Sequence, residues 1–226
     1  MVALASVVLA MSQTPQTFQR NVNVPVEGSY LLYLPSDYAG GSKRYPLVLF
    51  LHGAGERGRD LERVKAHGPP KEIGKGRNLP FIVVAPQCPG PGFWETAMLI
   101  GLLDEIERKH RVDEDRIYVT GLSMGGLGTY ELAARQPSRF AAIAPICGWA
   151  DASIAPKIKN LPIWSTHGDS DKAVPLAMEQ PLIDALRAFR ADVKFDVIPG
   201  GEHDVWSDVY AGEAIYEWLL QHKRRK

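Results

Sequence analysis

A serine flanked by glycines is the residue whose surroundings are best suited to chemistry. Ser123 lies at the centre of Gly121-Leu122-Ser123-Met124-Gly125, a G-x-S-x-G pattern that follows an apolar segment and precedes a helical one. In that context the serine occupies a tight strand-to-helix turn, and its hydroxyl projects above the sheet. Because Gly121 and Gly125 lack Cβ atoms, the turn can close around the serine. The pattern predicts that Ser123 is a nucleophile.

A serine hydroxyl needs a general base, and the downstream sequence offers a histidine and two carboxylates. On this kind of scaffold the chain order is serine, then acid, then histidine. His203 is the histidine that follows the last predicted strand, and Asp169 and Asp171 follow the strand before it. We expect Ser123 to attack a carbonyl carbon, His203 to take up its proton, and one of the two aspartates to fix the imidazole tautomer.

Two backbone segments are expected to stabilise the negative charge that develops during such an attack. The helix that follows Ser123 begins with unsatisfied N–H groups and a partial positive charge, which places the N–H of Met124 as one donor. The segment His52-Gly53-Ala54-Gly55 follows the third predicted strand and supplies the second donor, an N–H near Ala54. Which N–H of residues 53–55 donates is left open.

Other functions of a glycine-rich turn are tested by the residues around it. A phosphate-binding P-loop requires Lys and Ser or Thr after its last glycine, whereas Gly126 is followed by Leu127 and Gly128. The glycines around Ser123 do not fit G-x-G-x-x-G either. No H-E-x-x-H or clustered Cys/His spacing occurs, so no cofactor and no metal are implied. A non-catalytic binding protein on the same scaffold stays open, although its usual mark, a missing triad member, is not found.

Alternating strands and helices are predicted to position these groups. Near-continuous apolar runs are typical of strands buried on both faces, and their alternation with helical spacing predicts an α/β sheet with helices on both faces. The first two strands are expected to pair antiparallel at one edge, through a turn at Glu27-Gly28. The predicted strands are Phe18–Val26, Ser29–Leu34, Tyr45–Leu51, Phe81–Ala85, Arg116–Thr120, Ala141–Ile146, Leu161–Thr166 and Val193–Ile198, and the predicted helices are Thr96–His110, Leu127–Arg135, Leu176–Arg190 and Ala211–Leu220.

Length and charge limit the remaining classes of function. The 226 residues suit one domain, predicted over 18–226, after an N-terminal segment 1–17 that is an extension or a signal remnant. Lys and Arg together number 26 and so do Asp and Glu, so net charge attracts neither nucleic acid nor an anionic membrane. No apolar run is long enough to span a bilayer. We expect a monomer, and the compartment is left open between cytoplasm and export.

Several motifs together resemble the α/β-hydrolase superfamily. Within it, the chain is most similar to small bacterial carboxylesterases often labelled predicted peptidases, related to polyhydroxybutyrate depolymerases and feruloyl esterases. The resemblance implies a sheet of about eight strands, carboxylesterase activity on a small-molecule ester, and Asp171 rather than Asp169 as the acid. Feruloyl or acetyl-xylan esterase and serine peptidase stay open as alternatives. The motifs are Leu51-His52-Gly53-Ala54-Gly55-Glu56-Arg57-Gly58, Ala85-Pro86-Gln87-Cys88-Pro89, Trp94, Gly121-Leu122-Ser123-Met124-Gly125-Gly126, His167-Gly168-x-x-Asp171-x-x-Val174-Pro175 and Gly200-Gly201-Glu202-His203.

Two connections and a few side chains bear on the substrate. Residues 147–160 between two predicted strands are too few for a cap domain, which predicts an open site for short, water-soluble esters. Residues 53–79 form a long loop, a kind that is often functional or mobile. Gly53 and the tryptophans near the ends of strands or beside His203 are candidates for a pocket wall, with core packing as the alternative for each tryptophan: Trp94, Trp149 and Trp206.

Overall fold

The computed structural model describes residues 25–224, and a seven-stranded sheet forms its centre. The order across the sheet is β1-β3-β2-β4-β5-β6-β7, and every neighbouring pair except β1 with β3 is parallel. The predicted α/β class with a mostly parallel sheet is therefore confirmed. The strands are β1 Tyr30–Tyr33, β2 Tyr45–Leu51, β3 Ile82–Pro86, β4 Val112–Leu122, β5 Ala142–Ile146, β6 Ile163–Gly168 and β7 Val193–Ile198.

The antiparallel edge of the sheet differs from the sequence prediction. β1 pairs with β3, with Leu31 opposite Ala85, and so satisfies backbone groups that would otherwise face solvent at an edge. Most of the predicted strand Phe18–Val26 lies outside the described residues, and Pro25 and Val26 are not in a strand. Residues 25–224 therefore contain seven strands rather than about eight.

Helices cover both faces of the sheet, as predicted. Two predicted helices are divided in the structure. The segment 176–190 forms a 3₁₀ turn and a helix that begins at Gln180. The segment 211–220 belongs to two helices, because Gly212 adopts an extended conformation between them. No helix within residues 25–224 is long and apolar enough to cross a bilayer. The helices are α1 Gly68–Gly74, α2 Thr96–Lys109, α3 Met124–Arg135, α4 Ala155–Ile158, α5 Gln180–Ala188, α6 Trp206–Ala211 and α7 Ala214–Leu220.

The sheet divides the core into two apolar layers because side chains alternate along each strand. Leu47, Leu49 and Leu51 of β2 belong to the layer that packs against α2, α3, α4 and α5. Val48 and Phe50 belong to the opposite layer, which contains buried residues of α6 and α7. β2 is buried along its whole length, which explains its uninterrupted apolar sequence.

The long connection over 53–79 is structured rather than an open loop. It contains two 3₁₀ helices, Ala54–Glu56 and Leu61–Ala66, followed by α1. Arg77 at its end donates hydrogen bonds to the carbonyl oxygens of Tyr210, Ala211 and Gly212, at 2.9–3.0 Å. The connection is thereby fixed to the C-terminal end of α6.

Candidate active site

The six parallel strands β2 to β7 bring their carboxyl ends to one edge of the sheet, and the three triad candidates follow three of these strands. Ser123 comes directly after β4, Asp171 follows β6, and His203 follows β7. The strand registers pair Leu122 with Ile146 and Gly168 with Ile198, so these ends lie level across the sheet. Groups far apart in sequence therefore meet where open α/β sheets build their sites.

The turn at Ser123 has the geometry that its flanking glycines predict. Ser123 has φ 54° and ψ −117°, a conformation that a non-glycine residue rarely adopts. A Cβ on Gly121 would lie 2.4 Å from the oxygen of Gly125, and one on Gly125 would lie 1.9 Å from the oxygen of Leu51. The Ser123 N–H donates to Ile146 at 2.9 Å, which ties the turn to β5.

The three predicted side chains form one hydrogen-bonded chain. Nε2 of His203 lies 2.9 Å from Oγ of Ser123, and Nδ1 of His203 lies 2.6 Å from Oδ2 of Asp171. Because a carboxylate only accepts, Nδ1 carries the proton and Nε2 is left to accept the serine proton. The His203 side chain is 26% exposed, whereas that of Asp171 is fully buried. The arrangement can therefore deprotonate Ser123 at a surface that substrate reaches.

Asp171 is held as a carboxylate by its surroundings. Burial favours its neutral form, but hydrogen bonds from His203 and from the N–H groups of Val174 and Ala173 outweigh burial and lower the pKa of Asp171. Asp169, the other carboxylate considered from the sequence, points elsewhere. It is exposed and accepts from the N–H of Gly200, so its carboxylate braces the loop that leads to His203.

The predicted oxyanion donors lie at the starts of two helices. Met124 is the first residue of α3, and Ala54 is the first residue of the 3₁₀ helix Ala54–Glu56. An N–H group in the first turn of a helix has no acceptor within that helix. The N–H of Gly53 is engaged, since it donates to Oε2 of Glu56 at 3.0 Å. Of the two N–H groups on residues 53 and 54, that of Ala54 is thus the better candidate.

Side chains that sequence reasoning did not assign hold this loop in place. Arg57 donates to the oxygens of Ala54 and Gly92, both at 3.0 Å. Gln87, which is buried, donates to the oxygens of Glu56 and Asp60 at 2.9 and 2.8 Å. No periodicity or spacing in the sequence indicates these contacts, because each joins segments that meet only in the fold.

His52 is a structural histidine beneath the same loop. Its Nδ1 donates to the oxygen of Gly53 at 2.7 Å, and its Nε2 accepts from the N–H of Cys88 at 3.0 Å. Burial lowers the pKa of His52, which keeps this ring neutral and suited to both hydrogen bonds. The ring thereby joins the loop to the segment after β3.

The four residues predicted to line a pocket have different positions. Trp94 lies in the core: it is 4% exposed, packs on the ring of His52, and donates to the His52 oxygen. Gly53 is also buried, at the start of the 53–79 connection. Trp206 packs edge-on against His203 with ring centres 5.0 Å apart, and half-buried Trp149 contacts Phe93 at 6.4 Å. All four residues stay predictions as pocket residues, three of them buried and Trp149 half-buried.

Behind Asp171 lies a buried acid that the sequence analysis did not single out. Glu179 is fully buried and bonds to His167 at 2.6 Å. A signal existed, because Glu179 precedes Leu182, Ile183 and Leu186 by three, four and seven residues. A carboxylate on the apolar stripe of a predicted helix indicates a buried partner.

One cluster of potential metal ligands lies in the same region. One donor atom each of Cys147, His167 and Asp171 lie within 4.8 Å of one another. We assign no metal to them, because Nδ1 of His167 faces Glu179 and Nε2 faces the carbonyl of Val174. A ring whose two nitrogens both face acceptors donates from both and has no lone pair for a metal.

Comparison with known protein families places the chain among hydrolases. The family model for phospholipases and carboxylesterases matches residues 94–219, more than half of the chain. The chain therefore belongs to the phospholipase/carboxylesterase family of α/β-hydrolases. This confirms the resemblance stated from the sequence motifs.

Individual relatives agree with this assignment. The crystal structure of a thermostable esterase superposes with a TM-score of 0.75 at 32% identity, over 86% of this chain and 59% of that one. A bifunctional acetylxylan esterase/xylanase of Neocallimastix patriciarum is 28% identical over 62% of this chain, and a probable feruloyl esterase C of Aspergillus terreus is 25% identical over 65%. This chain spans only 21% and 56% of the lengths of those two proteins.

Proposed function

We propose that this protein is a serine carboxylesterase that hydrolyses short-chain carboxylic esters, with Ser123, His203 and Asp171 as its catalytic triad. The observation that carries the proposal is the unbroken chain of contacts, 2.9 Å from Ser123 to His203 and 2.6 Å from His203 to Asp171. The proposal assigns this chemistry to a single catalytic domain, predicted to begin near residue 18.

The reaction follows from which atoms can donate and accept. Oγ of Ser123 attacks the ester carbonyl carbon while Nε2 of His203 takes its proton, and Asp171 stabilises the imidazolium that results. The N–H groups of Ala54 and Met124 stabilise the oxyanion. His203 then protonates the leaving alcohol, and an acyl group stays on Ser123. Water, deprotonated by His203, attacks this acyl-enzyme, releases the acid and restores the serine.

The proposal is tested with p-nitrophenyl esters of increasing chain length on wild type and Ser123→Ala. We expect wild type to favour acetate and butyrate over long acyl chains, and we expect the variant to lose hydrolysis by at least about 10³-fold. An unchanged melting temperature of the variant would show that the fold is intact. Turnover by Ser123→Ala equal to that of wild type would refute the proposal.

A second candidate is an esterase for aromatic acyl groups or for acetyl groups on plant polysaccharide. It is supported by the named activities of the acetylxylan and feruloyl esterase relatives, and by Phe93, which is 60% exposed and packs against Trp149. An aromatic pair with one exposed ring suits a planar acyl group. Methyl ferulate and acetylated xylan, assayed beside p-nitrophenyl butyrate, distinguish the two candidates. Activity on a peptide amide without ester hydrolysis would favour a peptidase instead.

A further inference from the structure

A second histidine–carboxylate pair lies directly behind Asp171. The side chains of His167 and Glu179 are both fully buried, and Nδ1 of His167 lies 2.6 Å from Oε2 of Glu179. Nε2 of His167 lies 2.8 Å from the oxygen of Val174 and 3.4 Å from Oδ2 of Asp171. That Oδ2 is the oxygen that accepts from His203. The pair is thus connected to the triad through one atom, Oδ2 of Asp171.

The contacts determine where the protons of this pair reside. A carbonyl oxygen only accepts, so Nε2 of His167 donates to Val174. Oε1 of Glu179 accepts from the hydroxyls of Tyr130 and Ser165, both at 2.6 Å, which is the pattern of an ionised carboxylate. Nδ1 of His167 then donates to Oε2, and the ring is an imidazolium.

Electrostatics agrees with this proton count. Burial alone would lower the pKa of His167, but the hydrogen bond and the charge of Glu179 outweigh burial and raise it. Burial raises the pKa of Tyr130 and of Cys147, so both of these neighbours stay neutral. The charged groups that face the His167 ring are therefore Glu179 and Asp171, and the imidazolium is the cation between them.

The same residues connect the elements that carry the triad. Tyr130 belongs to α3, the helix that begins after Ser123, whereas Ser165 and His167 belong to β6. Val174 accepts from His167 through its carbonyl and donates to Oδ1 of Asp171 through its N–H at 2.9 Å. The loop that carries Asp171 is therefore wrapped around the His167 ring.

We propose that His167, held as an imidazolium by Glu179, is a positioning residue for the triad that keeps Asp171 ionised and oriented. This inference deepens the proposed function and rests on it. A cation beside Asp171 also disfavours a second positive charge on His203. Loss of the charge on His167 is therefore expected to make protonation of His203 easier.

The first test is the pH dependence of kcat/KM in His167→Gln and in His167→Gln/Glu179→Gln. Glutamine keeps an N–H donor for Val174 but carries no charge, and the double variant leaves no unpaired carboxylate. We expect the acid limb of the profile to move to higher pH by about one unit in His167→Gln, and by less in the double variant because that variant also removes the charge of Glu179. We also expect kcat to fall about tenfold with KM little changed, because neither side chain is exposed to substrate.

Thr120→Val is the matched control. Thr120 is buried, and its hydroxyl bonds to the Ala144 oxygen and to Tyr210, without any charged partner. Its loss removes a buried hydrogen bond but no charge, so the acid limb should stay in place. An acid limb that moves in neither His167 variant, with only the plateau lowered, would overturn the proposal and leave His167 a structural residue.

A second test needs no folded variant. In ¹⁵N-labelled wild type at pH 7.5, imidazole nitrogen spectra should show one histidine with both ring nitrogens protonated. A spectrum in which all six histidines have a single protonated nitrogen would overturn the proposal. The imidazole spectrum does not depend on catalysis, whereas the proposed function is tested by Ser123→Ala. Failure of this inference is therefore distinguishable from failure of the proposed function.

Discussion

The proposed activation of the Ser123 hydroxyl has two requirements. One is a backbone conformation that most residues avoid, and the other is an imidazole eighty residues further along the chain. The first requirement is visible in sequence, because glycines at both sides are needed to relieve the close approach of the turn. The second follows only from chain order and from the tendency of sites to form at the carboxyl ends of strands. At this scale Ser123 was predictable from its flanking residues, His203 from its place in the chain order, and the acid only as one of two aspartates.

Asp171→Asn tests the role of the acid. The amide preserves shape but can present its NH₂ to His203 and select the wrong tautomer, so we expect kcat to fall by about 10³- to 10⁴-fold. The expected result is measured with p-nitrophenyl butyrate at a pH on the plateau of the profile. Asp169→Asn is the control, since Asp169 contacts the loop near Gly200 rather than His203, and its kcat should stay within about threefold of wild type.

The same substitution has a consequence for stability. Because the pKa of Asp171 is lowered in the folded protein, its ionised form stabilises the fold at neutral pH. This contribution is fully present above the pKa of an unfolded aspartate, about 3.9, and is lost as the pH falls towards the folded value. The difference in unfolding free energy between wild type and Asp171→Asn, measured with urea, should therefore begin to shrink below about pH 4 and disappear as the pH falls through the folded pKa of Asp171. A difference in unfolding free energy that stays constant from pH 7 to pH 3 would contradict this.

Other residues of the site were beyond sequence reasoning. Choosing Asp171 over Asp169 required the family resemblance, because both follow the same strand at nearly equal spacing. Arg57 and Gln87 hold the loop that begins at Gly53 through contacts with backbone oxygens, which any polar side chain can make. Only the burial of Glu179 could have been inferred from periodicity, because this carboxylate lies on the apolar stripe of the predicted helix 176–190.

At the scale of elements, strands were more predictable than connections. β2 and β7 match their predicted bounds because their limits coincide with changes from apolar to polar or glycine residues. β4 begins four residues earlier than predicted, since Val112 pairs with Tyr45 although the intervening residues are charged. The segment 53–79 was predicted to be a loop because its short helices have no apolar stripe of their own. Tertiary contacts hold these helices instead.

Gly121→Ala tests how strictly the turn constrains the fold. The new Cβ would lie 2.4 Å from the oxygen of Gly125 and 2.7 Å from that of Leu51, both backbone atoms that cannot move alone. We expect a loss of about 3 kcal/mol in unfolding free energy, together with loss of activity. Chemical denaturation and the ester assay measure both effects.

Gly74→Ala is the matched control for that substitution. Gly74 ends α1, and a Cβ there would meet no atom within 4 Å. We expect its unfolding free energy to lie within about 1 kcal/mol of wild type, on the stabilising side, because alanine has less conformational freedom in the unfolded chain. Equal stability of the Gly121 and Gly74 variants would mean that the turn is not tightly packed.

At the scale of the whole molecule, the short connection between β5 and β6 determines how accessible the carboxyl edge of the sheet is. Between β5 and β6 the chain forms only a 3₁₀ turn, Ala152–Ile154, and α4. No cap domain is evident within residues 25–224, in agreement with the prediction from the short connection. Length alone permitted that prediction, because a cap requires more chain than the connection provides.

Because no cap domain covers the proposed site within residues 25–224, we expect the hydrolysis rate to saturate with the concentration of dissolved substrate. We expect the rate on tributyrin to follow a hyperbolic curve below its solubility limit and to show no jump when an emulsion forms. Titration of emulsified substrate at constant stirring, with a lidded lipase in parallel, provides the measurement. An abrupt rise in rate at the onset of the emulsion would show that some element does cover the site.

The central claim is that Ser123 is a nucleophile activated by His203, and covalent labelling tests it most directly. Wild type treated with a fluorophosphonate should gain the mass of one phosphonyl group, located by peptide mass spectrometry on Ser123, and His203→Ala should label at least about 10²-fold more slowly. An unmodified Ser123 in active wild-type protein, or equal labelling rates with and without His203, would contradict the account.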